Sequence, residues 1–210
     1  KAVRDMAKQL TALYAKRMSV KGYAFGPDTD LQKDFERRFE YDETEDQLRC
    51  INEIKADMER EVPMDRLLCG DVGFGKTEVA LRAAFKCISE GKQCALLVPT
   101  TILAMQHYNT ILRRFGEMPV TVKLLNRFVP QKQQEKIISD LKCGRVDMVV
   151  GTHRLISKDV AFKNIGLVII DEEQEHTYKS EQSPKFHARD VARFRTKYHN
   201  CMLILASATP

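Results

Sequence analysis

The sequence has no apolar run long enough to span a membrane, no signal-peptide pattern at its N-terminus and no C-x-x-C pair among its six cysteines. Without these features we expect neither a membrane protein nor a secreted one, and no cysteine-based zinc site. Several cysteines lie within apolar, strand-like runs, which indicates buried thiols in a reducing cytosol. Internal repeats and low-complexity tracts are also lacking. The composition therefore predicts a cytoplasmic globular protein.

The chain also lacks a strong excess of either charge. Its 34 basic and 29 acidic residues give a formal net charge of +5, which permits contact with nucleic acid without demonstrating it. A hydrophobic share of 43% is ample for a core, and 210 residues suit one domain with an appendage. Because the chain begins at Lys1 and stops at Pro210, directly after a motif, we expect it to be part of a longer protein.

Three helices are predicted before Pro63, and the last of them begins after an N-cap residue, Thr44. Their predicted spans are residues 2–18, 31–39 and 45–58. The first helix is amphipathic, with basic residues between its apolar positions. We therefore predict a helical lead-in over residues 1–40 and a main domain over residues 41–210.

Strands and helices alternate after Pro63. The predicted strands are residues 66–69, 93–98, 120–124, 147–150, 167–170 and 202–206, and the predicted helices are residues 76–89, 101–115, 131–142 and 188–197. Strands that are apolar on both faces imply a sheet covered by helices on both sides. The pattern predicts an α/β domain with a doubly wound, mainly parallel sheet, whose ligands bind at the carboxyl ends of the strands.

A complete phosphate-binding loop, G-x-x-x-x-G-K-[ST], lies between a predicted strand and a predicted helix. In this context the backbone N–H groups and the positive end of the helix cradle a polyphosphate. We predict that Lys76 binds the β- and γ-phosphates and that Thr77 holds Mg²⁺ through its hydroxyl. A glycine-rich turn without a ligand is the alternative, which the strand–loop–helix context disfavours. The residues predicted to bind the nucleoside triphosphate are Gly70, Asp71, Val72, Gly73, Phe74, Gly75, Lys76 and Thr77.

A cluster of acidic residues follows the apolar strand at residues 167–170. Asp171, at the strand tip, is predicted to hold the Mg²⁺ of the triphosphate, and Glu172 to orient and deprotonate the attacking water. Alone, such a cluster would equally suit a solvated strand end. After a phosphate-binding loop on the same sheet it predicts a hydrolytic site, with Lys76, Asp171 and Glu172 as its catalytic residues.

These motifs resemble those of the superfamily 2 helicases and translocases, in family order over residues 39–210. Motif II is similar to residues 171–174, motif III to 207–209, motif Ia to 98–104, motif Ib to 151–154, and the adenine-recognising segment to Phe39 with 43–47. The resemblance implies a RecA-like lobe that binds ATP and Mg²⁺ and moves on DNA. It also implies a second RecA-like lobe elsewhere in the protein.

Two branches of that superfamily are represented. Residues 1–173 resemble the bacterial transcription-repair coupling factors, relatives of RecG, most clearly over residues 63–80. Residues 171–210 resemble the primosomal N′ replication-restart helicases, most clearly over residues 175–190. Taken literally, the sequence is a hybrid of two related motors.

The resemblance also implies roles for further residues. Adenine contacts are expected at Phe39 and Gln47, and transmission of the nucleotide state at Ser207 and Thr209. The predicted DNA contacts are Thr100, Thr101, Arg127, Thr152, His153, Arg154, Tyr178 and Phe186, the last two by stacking on unpaired bases. Structural alternatives remain open: helix packing for Phe39, helix capping for Thr100, and a protein contact for the two aromatic residues.

Three functions follow as hypotheses. The first is the motor lobe of a DNA translocase in transcription-coupled repair, with RNA polymerase and repair proteins as partners of other domains. The second is the motor lobe of a 3′–5′ replication-restart helicase. The third is a non-catalytic nucleotide-binding module, which the presence of both Lys76 and Glu172 disfavours. Because a second lobe normally supplies an arginine finger, we expect this chain alone to bind ATP–Mg²⁺ weakly and to hydrolyse it slowly.

Overall fold

The computed structural model describes residues 21–71, 73–175 and 188–208. The helices are α1 (Asp30–Arg37), α2 (Glu45–Met58), α3 (Lys76–Ser89), α4 (Thr101–Phe115), α5 (Gln131–Cys143) and α6 (Ala188–His199), with a 3-10 turn at His153–Ile156. The strands are β1 (Asp65–Cys69), β2 (Gln93–Leu97), β3 (Val122–Leu125), β4 (Met148–Gly151), β5 (Ile165–Ile170) and β6 (Met202–Ser207). The helix predicted over residues 2–18 lies outside the described residues.

The six strands form one sheet in the order β1-β6-β5-β2-β4-β3. Every neighbouring pair is parallel, so all the carboxyl ends meet at one edge. The predicted α/β fold with a doubly wound parallel sheet is therefore confirmed. The strand order places β1, β6 and β5 in one half of that edge and β2, β4 and β3 in the other.

The element ends match the sequence prediction to within two residues, and the start of β3 has a visible local cause. Strand β3 begins at Val122 rather than at residue 120, and the N–H of Thr121 donates instead to the Asp147 carboxylate at 2.7 Å. Helix α1 ends at Arg37, two residues earlier than expected. The predicted N-cap of α2 is confirmed, because the Thr44 hydroxyl accepts from the N–H of Gln47 at 3.2 Å.

Alternate residues of the central strands face opposite sides of the sheet, as expected of strands covered by helices on both faces. Leu96 and Ile169 pack into the core that also contains Phe35 and Phe85. Their neighbours in the chain contribute to a second core with residues of α5 and α6, including Leu97, Ile170, Leu141 and Ala192. The sheet is thus the middle layer of three.

The segment before α2 packs against the helix that follows the phosphate-binding loop. The Phe35 and Phe85 rings stack with their centroids 4.3 Å apart. The Lys86 ammonium, on α3, donates to the Gly26 carbonyl and to the Asp28 and Glu59 carboxylates, each at 2.8 Å. Residues of the predicted lead-in therefore share a core and buried ion pairs with α3.

The six cysteines are free thiols, of which Cys87, Cys94 and Cys201 are buried and Cys69 and Cys143 are exposed. Burial raises the pKa of the Cys201 thiol to about 12, so it stays protonated at neutral pH. None of the helices within the described part of the chain combines the length and the apolar character needed to cross a bilayer.

Candidate functional site

The phosphate-binding loop connects β1 to α3 and needs glycine for two different reasons. Gly73 and Gly75 have φ angles of +90° and +83°, which side chains other than glycine rarely adopt. At Gly70 the constraint is space, because a Cβ there would lie 2.7 Å from the Phe74 ring. The N–H of Gly70 donates to the Ser207 carbonyl at 3.2 Å, which fixes the start of the loop against β6.

Lys76 is the first residue of α3, and its side chain folds back over the loop. The Nζ atom donates to the carbonyl of Gly70 at 2.5 Å and to that of Asp71 at 3.1 Å. The residue is only 9% exposed. The ammonium therefore lies against the loop, at the positive end of a 14-residue helix.

The predicted metal-binding residues lie around one small cavity at the carboxyl edge of the sheet. Lys76, Thr77 and Asp171 all line it. Asp171 directly follows β5, and its backbone N–H donates to the Leu97 carbonyl of β2 at 2.9 Å. The structure thus brings the ammonium, the hydroxyl and the carboxylate of the sequence prediction together.

His107 also lines this cavity, although the sequence prediction did not include it. Its Nε2 lies 2.7 Å from Oδ2 of Asp171, and the two side chains are each 14% exposed. His107 is on α4, far from the acidic motif in the sequence. No motif spacing could have linked the two residues, because their contact depends on how α4 packs across the sheet.

Glu172 has an unusual backbone conformation, with a φ angle of +49°. A non-glycine residue in this region costs about 1 kcal/mol or more and needs support from its surroundings. The Gln174 amide donates to the Glu172 carboxylate, and the Ser207 hydroxyl donates to the Gln174 carbonyl oxygen at 2.7 Å. The predicted base is therefore joined to the end of β6 by side-chain hydrogen bonds. Thr209, its predicted companion in coupling, lies outside the described residues, as does Val72 of the loop.

Gln47 contacts the phosphate-binding loop itself. Its side-chain amide donates to the Phe74 carbonyl at 2.5 Å, and its oxygen accepts from the N–H of Thr44 at 2.9 Å. The N-terminus of α2 is thereby tied to the loop. This contact is additional to the adenine contact that the sequence predicts, which stays a prediction.

Phe39 is half-buried next to two arginines. The guanidinium carbons of Arg82 and Arg114 lie 5.4 and 5.5 Å from its ring centroid. The Tyr41 ring meets it edge-on, with the centroids 5.6 Å apart. The ring is therefore held by its neighbours in a defined position.

A buried ionic network beneath Phe39 was missed by sequence reasoning. Arg82 donates to Glu78 at 2.9 Å and to Glu43 at 2.5 Å, while Arg114 donates to both oxygens of Glu78 at 2.7 and 2.8 Å. Burial alone would lower the pKa of Arg82, but the hydrogen bonds to Glu43 and Glu78 outweigh it and raise that pKa. The i, i+4 spacing of Glu78 and Arg82 was the available signal.

The nucleic-acid candidates of the described chain lie at the ends of β2, β3 and β4. The last residues of these strands are in register, with Leu97 opposite Gly151 and Gly151 opposite Leu125. The segments that follow them therefore emerge side by side. Thr100 caps α4, its hydroxyl accepting from the N–H of Leu103 at 3.2 Å, and Thr101 begins the helix.

Arg127 follows β3 in a tight turn. Its guanidinium carbon lies 5.0 Å from the centroid of the Phe128 ring, and Phe128 is 70% exposed. The turn is held by Asn126, whose side-chain oxygen accepts from the N–H groups of Phe128 and Val129. An exposed arginine–phenylalanine pair thus projects beyond the end of β3.

The segment after β4 is more enclosed. Thr152 is buried, and His153 begins the 3-10 turn. Arg154 donates to both carboxylate oxygens of Asp159 at 2.7 and 2.6 Å, and to the Gln134 side chain at 2.8 Å. The Arg154 guanidinium is thus already engaged in holding this turn. Tyr178 and Phe186 lie outside the described residues.

A parallel sheet with a phosphate-binding loop after β1 and an acidic turn after β5 defines a RecA-like P-loop nucleotide-binding lobe. The model of the DEAD/DEAH box helicase family matches residues 44–210. The chain therefore belongs to the DEAD/DEAH box helicases.

Two curated relatives of this chain are both named transcription-repair-coupling factor. The chain is 64% identical over 173 residues to the transcription-repair-coupling factor of Bacillus subtilis (strain 168), an alignment that covers 82% of this chain. It is 50% identical over 209 residues to that of Staphylococcus haemolyticus (strain JCSC1435), which covers 100% of it. The alignments span only 15% and 17% of the two relatives.

Solved structures show the same fold. A structure of RecG bound to a three-way DNA junction aligns with a TM-score of 0.78 and 37% identity, covering 95% of this chain and 25% of RecG. The DUF1998 helicase MrfA aligns with a TM-score of 0.61 at 18% identity, covering 87% of this chain and 30% of MrfA, a likeness in fold alone.

Proposed function

We propose that this chain is the ATP-binding motor lobe of a DNA translocase that hydrolyses ATP to move on DNA, as in transcription-coupled repair. The observation that carries the proposal is the cavity lined by Lys76, Thr77 and Asp171 at the carboxyl edge of the sheet. The relatives named transcription-repair-coupling factor and the RecG structure on a DNA junction support the choice of substrate.

The groups around this cavity fit ATP and Mg²⁺. The loop from Gly70 to Thr77 offers backbone N–H groups and the Lys76 ammonium to phosphate oxygens. The Thr77 hydroxyl and the Asp171 carboxylate are the hard oxygen ligands that Mg²⁺ prefers. When bound, the metal neutralises charge that develops on the phosphates. Phe39 and Gln47 are the proposed adenine contacts, on the α2 side of the loop.

Hydrolysis needs a base that aligns water against the terminal phosphate, and Glu172 is the proposed base. The hydrogen bond from Gln174 restrains its carboxylate. Ser207, which donates to Gln174, connects the base to β6. With Thr209 it is the proposed route by which the nucleotide state is transmitted to a second lobe.

DNA contacts are proposed to be independent of sequence, since a motor must move over any base. Thr100 and Thr101 offer hydroxyls and helix N-terminal N–H groups, and Arg127 offers an exposed charge. The segment after β4 is proposed to contact DNA through Thr152, His153 and Arg154. The remaining proposed contacts are the stacking residues Tyr178 and Phe186.

The proposal extends to the organisation of the parent protein. Residues 1–40 are proposed as a helical lead-in and connector, and residues 41–210 as the first RecA-like lobe. A second RecA-like lobe, RNA polymerase and repair proteins are the proposed partners through other parts of the parent. The proposed location is the cytoplasm.

A replication-restart helicase is the second candidate function, and the sequence of residues 175–190 is what favours it. Its motor would follow single-stranded DNA, whereas a coupling-factor motor would follow duplex DNA. A non-catalytic nucleotide-binding module remains the third candidate. The presence of Lys76 and Glu172 speaks against it.

The test of hydrolysis is the substitution Glu172→Gln in the complete parent protein. We expect the ATPase rate to fall by about 10²- to 10⁴-fold, because the base is lost while the phosphate contacts stay. ATP affinity, measured with a fluorescent analogue, should stay within a few-fold of wild type. Glu175→Gln is the matched control, since the Glu175 side chain is exposed and its backbone N–H bond to Glu172 is kept. Hydrolysis that persists in Glu172→Gln would disprove the assignment of the base.

A further inference from the structure

His107 stands in direct contact with the proposed metal ligand, yet no motif accounts for it. Its Nε2 lies 2.7 Å from Oδ2 of Asp171. An ionised carboxylate only accepts hydrogen bonds, so the histidine nitrogen must carry the proton of this pair. The contact is enclosed, since each side chain is 14% exposed.

The contact with His107 restrains the Asp171 carboxylate, the group proposed to bind the cation. The same cavity is lined by Thr77, the second proposed ligand of Mg²⁺. Two rotatable bonds set the orientation of an aspartate carboxylate, and each contact that restrains them lowers the free-energy cost of ordering the carboxylate for the metal. Groups that fix a metal ligand in this way typically change metal affinity or activity by about 10- to 100-fold.

The element that carries His107 is well anchored. Helix α4 is capped at its start by Thr100 and packs Ala104, Ile111 and Phe115 into the core, each at most 3% exposed. The imidazole is thus presented by a rigid helix rather than by a loop. The strand that precedes Asp171 is buried along its whole length.

We infer that His107 is a positioning residue for Asp171, whose Nε2–H orients the carboxylate for Mg²⁺ bound with the nucleotide. The inference rests on the proposed function, since it assumes that ATP–Mg²⁺ binds at the phosphate-binding loop, next to this cavity. It assigns to α4 a part in the metal site in addition to the proposed DNA contacts at its first turn.

The experiment measures metal-dependent nucleotide binding rather than hydrolysis. The 210-residue chain is titrated with Mg²⁺ in the presence of a fluorescent ATP analogue, and the Mg²⁺ concentration for half-maximal binding is recorded. Binding in excess chelator reports the phosphate contacts without the metal. His107→Leu removes the donor, while His107→Gln places an amide nitrogen near the position of Nε2. The neighbouring Asn109→Leu introduces the same leucine at an exposed position on the other side of α4.

For His107→Leu we expect the half-maximal Mg²⁺ concentration to rise by about 10- to 100-fold, with binding in chelator unchanged within twofold. His107→Gln should restore most of the loss, and Asn109→Leu should behave as wild type.

An unshifted Mg²⁺ titration in His107→Leu would overturn the inference, and so would an equal shift in His107→Gln. If His107→Leu does not fold, His107→Asn replaces it, because the shorter amide matches Nδ1 and cannot reach Asp171. A wild-type chain that binds no analogue at any Mg²⁺ concentration would refute the proposed function instead, and this inference with it.

Discussion

Gly75 carries two constraints at a single position of the phosphate-binding loop. Its φ angle of +83° favours glycine, and a Cβ there would lie 2.5 Å from the side-chain nitrogen of Gln47. Gln47 donates to the Phe74 carbonyl from this position. The close approach of Gln47 and the loop is therefore possible only because residue 75 has no side chain.

The two constraints can be separated with a matched glycine. Gly91 has a φ angle of +72° and no atom within 4 Å of a built Cβ, so Gly91→Ala carries the backbone cost alone. We expect Gly91→Ala to lower the free energy of unfolding by about 1–2 kcal/mol without changing nucleotide affinity. Gly75→Ala should lower the free energy of unfolding by at least as much. It should also weaken nucleotide binding by more than tenfold, because Gln47 and the loop must separate. Chemical denaturation measures the stability of the two variants, and titration with a fluorescent ATP analogue measures their nucleotide affinity. Equal nucleotide affinity in the two variants would contradict the prediction.

Among the elements, α3 shows most clearly what a sequence can and cannot predict. Its span, Lys76–Ser89, matches the prediction, because a phosphate-binding loop fixes where the helix begins. Its charged residues were missed, since periodicity assigns charges to a solvated face. Arg82 and Lys86 are instead 2% and 3% exposed and pair with carboxylates from other elements.

The candidate nucleotide site shows the same difference between positions set by local sequence and contacts set by the packing of separate elements. The positions of Lys76 and Thr77 could be predicted because the spacing within the phosphate-binding loop determines them, and that of Asp171 because it directly follows an apolar strand of the same sheet. His107 reaches Asp171 only through the packing of α4, and a single sequence carries no signal of that contact. For Arg154, no sequence pattern indicated that Asp159 would hold the guanidinium.

The ion pairs between α3 and the segment before α1 predict a dependence of stability on pH. Burial alone would raise the pKa of Asp28, but hydrogen bonds from Lys55 and Lys86 outweigh it and hold that pKa below its usual value. A lowered pKa in the folded state stabilises the fold above the unfolded pKa of about 3.9. The stabilisation is then lost as the pH falls through the lower, folded-state pKa.

Asp28→Asn isolates this contribution. At pH 7 we expect the substitution to lower the free energy of unfolding by about 2 kcal/mol, less than for a fully buried pair because Asp28 retains some exposure. The difference from wild type should shrink as the pH falls from about 5 towards 3, where wild type loses the same interaction. Asp42→Asn, at an exposed position, should stay within about 0.5 kcal/mol of wild type. Urea denaturation across this pH range measures all three, and a difference that grows in acid would contradict the assignment.

In the molecule as a whole, the strand order separates two sets of candidate residues. Within the described part of the chain, the phosphate and metal candidates lie at the carboxyl ends of β1 and β5, and the nucleic-acid candidates at those of β2, β4 and β3. Helix α4 belongs to both halves, because it follows β2 and its His107 contacts Asp171 after β5. A shift of α4 on contact with DNA would therefore reach Asp171, the proposed metal ligand, directly.

In the proposed function this chain holds ATP but does not complete the hydrolytic site, because a second lobe supplies the arginine finger that is worth about 10³- to 10⁵-fold in rate. We expect the 210-residue chain to bind ATP–Mg²⁺ weakly, to hydrolyse it slowly and to show no stimulation by DNA. The complete parent should hydrolyse ATP faster with duplex DNA if it acts as a coupling factor, and with single-stranded DNA if it acts as a restart helicase. ATPase assays of the 210-residue chain and of the complete parent, each with duplex and with single-stranded DNA, measure these rates. The Lys76→Ala variant of each protein gives the background from contaminating ATPases, which is subtracted. Strong DNA-stimulated hydrolysis by the 210 residues alone would mean that the catalytic charge is supplied from within this lobe, and the two-lobe arrangement would have to be abandoned.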